Sequence, residues 1–333
     1  MMSNMQGGKA HSSAGGASHY EQTMPSEALA RHDAFMNREA PATHSDWLQV
    51  DSYKARIEPV DASKVALLHE LTVSVFWPHR VHDLELIVEQ GRGFVALDEI
   101  NRPLSSVMQF PHGDDFAMLG MMVTTPRLQS YGSGSRLLRR VMQDNLGKDM
   151  RLSATRSGYR LYESAGFVPV GRVWQHQGLV RPIRPPTAAE NVVVRPMQAA
   201  DRAAIHGLDL GAYGAARTGL LDRLIALSEC VVAERDGVIC GFAMLRQFGK
   251  GQVIGPLVAD DDALAMQLCA PFLQQSEGRF VRFDLAVQSE RFAAFLAAAG
   301  LGSYDTVTEM RFGRLRRAMS GAQTYGLASQ SLG

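Results

Sequence analysis

Residues 123–140, VTTPRLQSYGSGSRLLRR, carry the pattern with the most chemical content. Gln129 is followed by Gly132 and Gly134, and the trio lies between an apolar run and a basic, leucine-bearing segment. Upstream, FAMLGMMV is apolar enough for a strand buried on both faces, and Pro126 cannot continue it as an inner strand. Downstream, Leu137, Leu138, Val141, Met142 and Leu146 recur at helical spacing, with Arg136, Arg139 and Arg140 mostly on other faces. The order is strand, glycine loop, helix. The first N–H groups of a helix have no internal acceptor and carry partial positive charge, so they bind phosphate or pyrophosphate. Glycines at 132 and 134 remove side chains that would keep an anion from those amides.

Three well-known phosphate or nucleophile turns fail on single residues. A Walker A loop ends Gly-Lys-Ser/Thr, whereas Ser135 and Arg136 follow Gly134. A dinucleotide fingerprint needs a third glycine at position 137, which is leucine. A nucleophile elbow needs glycines two before and two after a serine, and neither Ser133 nor Ser135 has both.

A second block follows, RLSATRSGYRLYESAGF, from Arg151 to Phe167. It reads as a strand, then a short helix carrying Tyr159 and Tyr162, closed by Gly166 as a C-cap. Together, Gln129-x-x-Gly132-x-Gly134 and Leu161-Tyr162-Glu163 with Gly166-Phe167 resemble the GNAT superfamily of N-acetyltransferases, whose loop signature is Gln/Arg-x-x-Gly-x-Gly/Ala. The resemblance implies acetyl-CoA as cosubstrate, no metal, and a cleft where two parallel strands splay apart. It places the pantetheine arm and thioester carbonyl on a bulged strand edge at Gly120–Thr124, with Met122, Val123 and Thr124 as contacts. It places the pyrophosphate on the amides of Gln129, Ser130, Tyr131, Gly132, Ser133, Gly134 and Ser135. Tyr162 matches the tyrosine that assists departure of the thiolate. An ordinary phenol has a pKa of about 10 and a thiol about 8.5, so a hydrogen bond to sulfur is favoured over full proton transfer.

Many members use a glutamate on the central strand as general base, but FAMLGMMV has no carboxylate. In FWPHRVHDLE, His79, His82, Asp83 and Glu85 cluster near the expected acceptor side. A solvated turn with a helix-capping aspartate explains the same residues equally well. No Ser-His-Asp or Cys-His set stands out.

The elements that must position these groups are repeated. Arg181–Asn191, RPIRPPTAAEN, has three prolines and no apolar period, as a linker does. On either side the chain opens alike, with Arg56, Pro59 and Asp61 answered by Arg195, Pro196 and Asp201 before an amphipathic helix. Asp61 and Asp201 stand at helix N-cap places. Asp236-Gly237 is a hairpin turn signal. In the second half the glycine loop is missing. Asp260, Asp261 and Asp262 stand there and would repel a pyrophosphate, though they suit a helix N-terminus. Phe295-Leu296 takes the Leu-Tyr place. This half resembles the C-terminal module of bacterial two-domain GNAT proteins.

The expected fold class is therefore α/β, of the α+β mixed-sheet kind. It comprises two tandem GNAT-like domains, each a mostly antiparallel sheet with a splayed parallel pair flanked by helices. The expected division is a disordered tail over 1–48, a catalytic domain over 49–180, a linker over 181–191, a degenerate domain over 192–316 and a disordered tail over 317–333. His11, His19, His32 and His44 are spaced too irregularly for a metal site.

Composition narrows the partners. Lys plus Arg equals Asp plus Glu, 34 each, so bulk charge does not point to nucleic acid or a membrane surface. Three cysteines without a CxxC spacing read as buried apolar residues in a reducing compartment, and no apolar run is long enough to span a bilayer. The expectation is a soluble cytoplasmic acetyltransferase for a small primary amine or amino-acid-like acceptor. An acyl-CoA sensor, an enzyme for protein amino groups and a tandem-domain scaffold remain as alternatives.

Overall fold

The computed structural model describes residues 23–38, 46–187 and 191–333. The first half contains helix α1 (Ser26–Asn37), strands β1 (Trp47–Val50) and β2 (Tyr53–Pro59), and helices α2 (Val65–Ser74) and α3 (Val81–Gln90). Strands β3 (Arg92–Leu97), β4 (Pro103–His112) and β5 (Phe116–Thr124) follow, then α4 (Ser133–Asp144), β6 (Asp149–Ala154), α5 (Tyr159–Ser164) and β7 (Val168–Leu179). The second half repeats the plan with β8 (Val192–Pro196), α6 (Arg202–Tyr213), α7 (Thr218–Leu227), β9 (Glu229–Arg235), β10 (Val238–Phe248) and β11 (Gly251–Ala259). It continues with α8 (Asp262–Gln275), β12 (Phe280–Leu285), α9 (Glu290–Ala298), β13 (Gly302–Phe312) and a further strand, β14 (Gln323–Gly326). None of these helices is long and apolar enough to cross a membrane.

Each half has one parallel pair in an otherwise antiparallel sheet. Strands β5 and β6 pair from Phe116↔Asp149 to Leu119↔Leu152 and then diverge. Strands β11 and β12 pair only at Gln252↔Val281 and Val253↔Arg282. Asp236 and Gly237 both have positive φ and make the β9–β10 turn, as the dipeptide suggests. Asp61 Oδ1 accepts the Ser63 N–H at 2.8 Å, the expected cap. Asp201 does not cap forward. Its carboxylate accepts from Gln198 N and from both terminal nitrogens of Arg195, at 2.7–2.9 Å.

The two sheets are one. The strand order is β1-β2-β3-β4-β5-β6-β13-β7-β12-β14-β11-β10-β9-β8. Strand β13, from the second half, lies between β6 and β7; β7, from the first, lies between β13 and β12. Each half thus completes its sheet with the other's strand. A core cluster is also shared: Leu68, Leu84, Ile87 and Met118 pack with Ile205, Tyr213, Leu220 and Phe242. The boundary at 181–191 divides the chain but not the structure. Residues 181–187 form neither helix nor strand, and 188–190 lie outside the described residues.

Both expected tails need correction where the structure describes them. Residues 26–37 form α1, which buries Ala28 and Phe35 against the first core. Helix α4 holds it in place through Arg139. Arg139 Nε donates to Phe35 O at 3.0 Å, its guanidinium lies 4.8 Å from the Phe35 ring, and Arg140 pairs with Asp46 at 3.0 Å. Residues 1–22 and 39–45, with His11, His19 and His44, lie outside the described residues. At the other end, β14 is a sheet strand, and Tyr325, Leu327, Ala328 and Leu332 are buried.

Candidate active site

The loop before α4 has the geometry of an anion cradle. Ser130 and Gly132 have positive φ, +75° and +86°, which turns successive amides toward one side. A Cβ on Gly132 would meet nothing within 4 Å, so glycine serves the backbone angle there. A Cβ on Gly134 would lie 3.5 Å from Leu161 Cδ2 and 3.5 Å from Thr124 Oγ1. The start of α4, the end of β5 and helix α5 therefore converge on this residue. The helical ladder begins with Arg136 N–H to Gly132 O at 3.0 Å, so the amides of Ser133, Gly134 and Ser135 precede it. Ser133 turns its hydroxyl inward to Ser105 on β4 and offers only its amide. Gln129 Nε2 donates to Thr124 O at 3.2 Å, tying the loop to the strand. Tyr131 is half exposed on the outer side.

Strand β5 carries the expected bulge. Its register against β4 shifts between Ser106 and Met108, Met121 has φ +50°, and Ser106 Oγ donates to Met121 O at 2.8 Å. Thr125 N–H donates back to Leu104 O at 3.0 Å. By strand alternation the backbone groups of Met122 and Thr124 then face the open side, past the last β5–β6 pair. Val123 lies opposite Ser106, so its backbone faces β4, unlike its two neighbours.

Tyr162 lies on α5, buried in the first core with the Phe167 ring 6.2 Å away. Gly166, at φ +92°, ends the helix, and Phe167 N–H closes onto Tyr162 O at 3.0 Å. Helix α1 clamps the end of α5, with Arg31 Nε donating to Glu163 O at 3.0 Å and His32 Nδ1 lying 3.3 Å from Ala165 O. No described group bonds the Tyr162 hydroxyl, and burial pushes its pKa well above the ordinary phenol value. It is a protonated phenol, a donor rather than a base. A cleft of about 460 Å³ opens beside α5 between Tyr159, Gly171, Arg172 and Thr308 and does not include the loop, which lies open at the rim of the splay.

The acceptor-side candidates divide: Glu85 is exposed, and His82 is half exposed with its Nε2 3.3 Å from Asp83 Oδ1. Asp83 is buried; its Oδ2 accepts from Arg80 N at 2.8 Å, capping α3, and from Gly249 N in the β10–β11 turn at 2.9 Å. His79 is buried against Phe248 and Trp77, and burial first, then Arg282 and Arg246, lowers its pKa to about 3. The solvated turn is therefore corrected: His79 and Asp83 belong to an interior junction between the halves. Sequence reasoning missed its other members, Arg246 and the segment after β14, because more than 150 positions separate them from Asp83.

The second splay is different. Asp261 caps α8 by accepting the Leu264 N–H at 2.8 Å, and Asp262 accepts from Ser289 Oγ at 2.8 Å and the Tyr325 hydroxyl at 3.0 Å. Strand β14 lies in the gap, pairing with β11 at Val258↔Thr324 and with β12 at Leu285↔Gly326. Ala286 N–H donates to Tyr325 O at 2.9 Å, and Leu327 N–H to Asp284 O at 3.1 Å. Backbone edges left free in the first half are thus hydrogen-bonded to the chain itself in the second.

Comparison with known proteins bears on both halves. A family model described as an acetyltransferase (GNAT) domain matches residues 205–326. A Bacillus subtilis protein named "Uncharacterized N-acetyltransferase YitH" is 26% identical over 261 residues, 77% of this chain and 91% of that protein. A solved putative acetyltransferase from Pyrococcus horikoshii has a TM-score of 0.69 at 20% identity, covering 87% of this chain and 99% of that one. A tandem GNAT protein from the clavulanic acid biosynthesis pathway has a TM-score of 0.56 at 14% identity, covering 77% and 98%. The family model falls on the half whose loop is replaced, while the Gln129-x-x-Gly132-x-Gly134 motif falls on the other. The chain thus carries an acetyltransferase (GNAT) domain match over residues 205–326 and shares its fold with solved acetyltransferases, a tandem GNAT protein among them.

Proposed function

We propose that the first half is an acetyl-CoA-dependent N-acetyltransferase that acts on a small primary amine or an amino-acid-like acceptor. One observation carries this reading: the open β5–β6 splay is headed by the 129–135 loop and flanked by α5, whose Leu161 reaches Gly134, whereas the second splay is filled by β14.

The residues present fit the cosubstrate. The amides of Gly132–Ser135 would take the pyrophosphate, with the N-terminal dipole of α4 behind them. The backbone groups of Met122 and the N–H of Thr124, whose carbonyl is taken by Gln129, would bind the pantetheine arm and polarise the thioester carbonyl, as fixed donors do for developing charge. Acetyl-CoA supplies an acyl group already activated toward amines. The acceptor nitrogen, neutral and with its lone pair free, attacks the carbonyl carbon. The C–N bond forms, the C–S bond breaks, the electron pair leaves on sulfur, and the nitrogen gives up one proton. Tyr162 donates a hydrogen bond to that sulfur. Burial raises the phenol pKa further above that of a thiol, so its proton stays on oxygen. The strand FAMLGMMV offers no carboxylate, so the amine proton leaves to solvent or to a group outside β5.

The test is thiol release from acetyl-CoA with a panel of primary amines. Amine-dependent release by the full chain supports the reading. Tight acetyl-CoA binding with no release for any amine would instead identify a sensor.

A further inference from the structure

At the junction of the two halves the chain leaves a buried polar cluster incomplete. Arg246, on β10, is 5% exposed. Its Nη2 donates to Ala328 O at 2.7 Å, and its Nη1 donates to Gln247 O at 3.2 Å and stands 4.0 Å from Asp83 Oδ1. Its Nε and His79 Nδ1 are buried without a hydrogen-bond partner, and Asp83 Oδ1, also buried, has only the half-exposed His82 Nε2 at 3.3 Å. The neighbouring Arg282 is not short of partners, since Asp284 engages its Nε and Nη2 at 2.9–3.1 Å.

Over this cluster lies segment 327–333. Ala328 N–H donates to Gly333 O at 3.0 Å, and Ser329 O accepts from Leu332 N and Gly333 N, so the segment closes into a compact loop. Arg217 Nη1 holds the carbonyls of Leu332 and Gly333 at 3.2 and 2.7 Å. Ser331 stands against β5: a Cβ on Gly120 would lie 2.8 Å from Ser331 Cβ. Gly120 immediately precedes the Met121 bulge, where the proposed mechanism puts the thioester carbonyl. The loop therefore covers the approach to that strand from the side of α2 and α3, and it spans from there to Arg246.

A guanidinium presents Nε and Nη2 as one side-on fork, matched to the two oxygens of a carboxylate. In Arg246 a neutral backbone carbonyl takes one tine, and the other is free. We propose that Arg246 reads the carboxylate of an amine acceptor, and that segment 327–333 is a strap whose Ala328 carbonyl holds that place when no acceptor is bound. This deepens the transferase reading and rests on it: the acceptor class becomes amines that also carry a carboxylate, as amino acids do.

The test is a matched pair of acceptors, an amino acid and its carboxamide, assayed by thiol release with the full chain and its variants. Losing a charge-assisted bond is worth about 10- to 100-fold, so the unaltered protein should favour the carboxylate by that factor in kcat/KM. Arg246→Met should bring the two acceptors within about threefold of each other. Arg246→Lys, which keeps the charge and loses the fork, should fall between and serves if the methionine variant does not fold. Leu332→Gly, which loosens the strap, should lower KM for the amino acid and keep the preference. Equal use of both acceptors by the unaltered protein, or a preference that survives Arg246→Met, overturns the subsite alone. No release with any amine overturns the transferase reading and the subsite with it.

Discussion

Replacing Tyr162 with phenylalanine separates catalysis from stability. The ring packs beside Phe167 and fills part of the first core, and phenylalanine keeps that packing. The hydroxyl has no partner in the described chain, so its removal deletes no intramolecular bond. Unfolding free energy should change by no more than about 0.5 kcal/mol, the range of substitutions that break no buried contact. Tyr162→Ala, which empties the ring's volume, should cost about 3–5 kcal/mol. The catalytic effect has another source. A hydrogen bond to a charged group is worth about 1.5–3 kcal/mol, and the sulfur is charged only as the C–S bond breaks. At about 1.4 kcal/mol per decade, Tyr162→Phe should lower kcat by about 10- to 150-fold. Acetyl-CoA affinity should stay within about threefold, because the ground-state thioester sulfur is neutral and a weak acceptor. Steady-state thiol release, calorimetric titration with acetyl-CoA and urea unfolding measure the three quantities. An undiminished kcat refutes the assignment, as does a loss confined to acetyl-CoA affinity.

Other consequences are as direct. Gly134→Ala meets only ordinary 3.5 Å contacts and should bind acetyl-CoA within about threefold of the unaltered chain, whereas Gly134→Leu drives into Leu161 and Thr124 and should weaken binding more than tenfold, at a stability cost of about 1–3 kcal/mol. Titration and urea unfolding check both; a leucine variant that binds normally would place the phosphate elsewhere. His79 stays neutral down to about pH 3 when folded but takes a proton near pH 6.5 when unfolded. Between those values the unfolded chain binds more protons, so stability should fall as pH drops below 6.5, by up to about 1.4 kcal/mol per unit from this residue. His79→Gln should flatten that slope between pH 6.5 and 5, and an unchanged slope would mean His79 is not buried. Gly255→Ala places a Cβ 1.9 Å from Leu327 O and should lift β14 from its gap. Amides of 323–333 should then exchange faster while those of β5 do not, and unchanged protection would contradict the seating of β14.

The form of the candidate site was legible because its elements are local. A strand, a glycine pair and a helix start occupy adjacent positions, and the structure has them in that order. The repeat of the two halves was legible for the same reason, since each is built from short strands and amphipathic helices in order. The exchange of β7 and β13 was not. Both read as ordinary strands, and which neighbour each pairs with is decided by long-range closure, not by its own residues. The segment AMSGAQTYGLASQSLG reads as a tail because small and polar residues dominate it. Its apolar burial comes from Tyr325, Leu327, Ala328 and Leu332, four residues without a regular period. Helix α1 escaped notice because its buried face amounts to Ala28 and Phe35, and its fit depends on arginines a hundred positions away.

The central claim is one acyl-CoA site per chain, in the first half, with the second splay closed by the chain itself. Calorimetric titration of the full chain with acetyl-CoA tests it most directly. The account predicts one site per chain, weakened more than tenfold by Gly134→Leu and retained by Tyr162→Phe. Two equivalent sites, a single site unaffected by Gly134→Leu, or no binding at millimolar acetyl-CoA would contradict it.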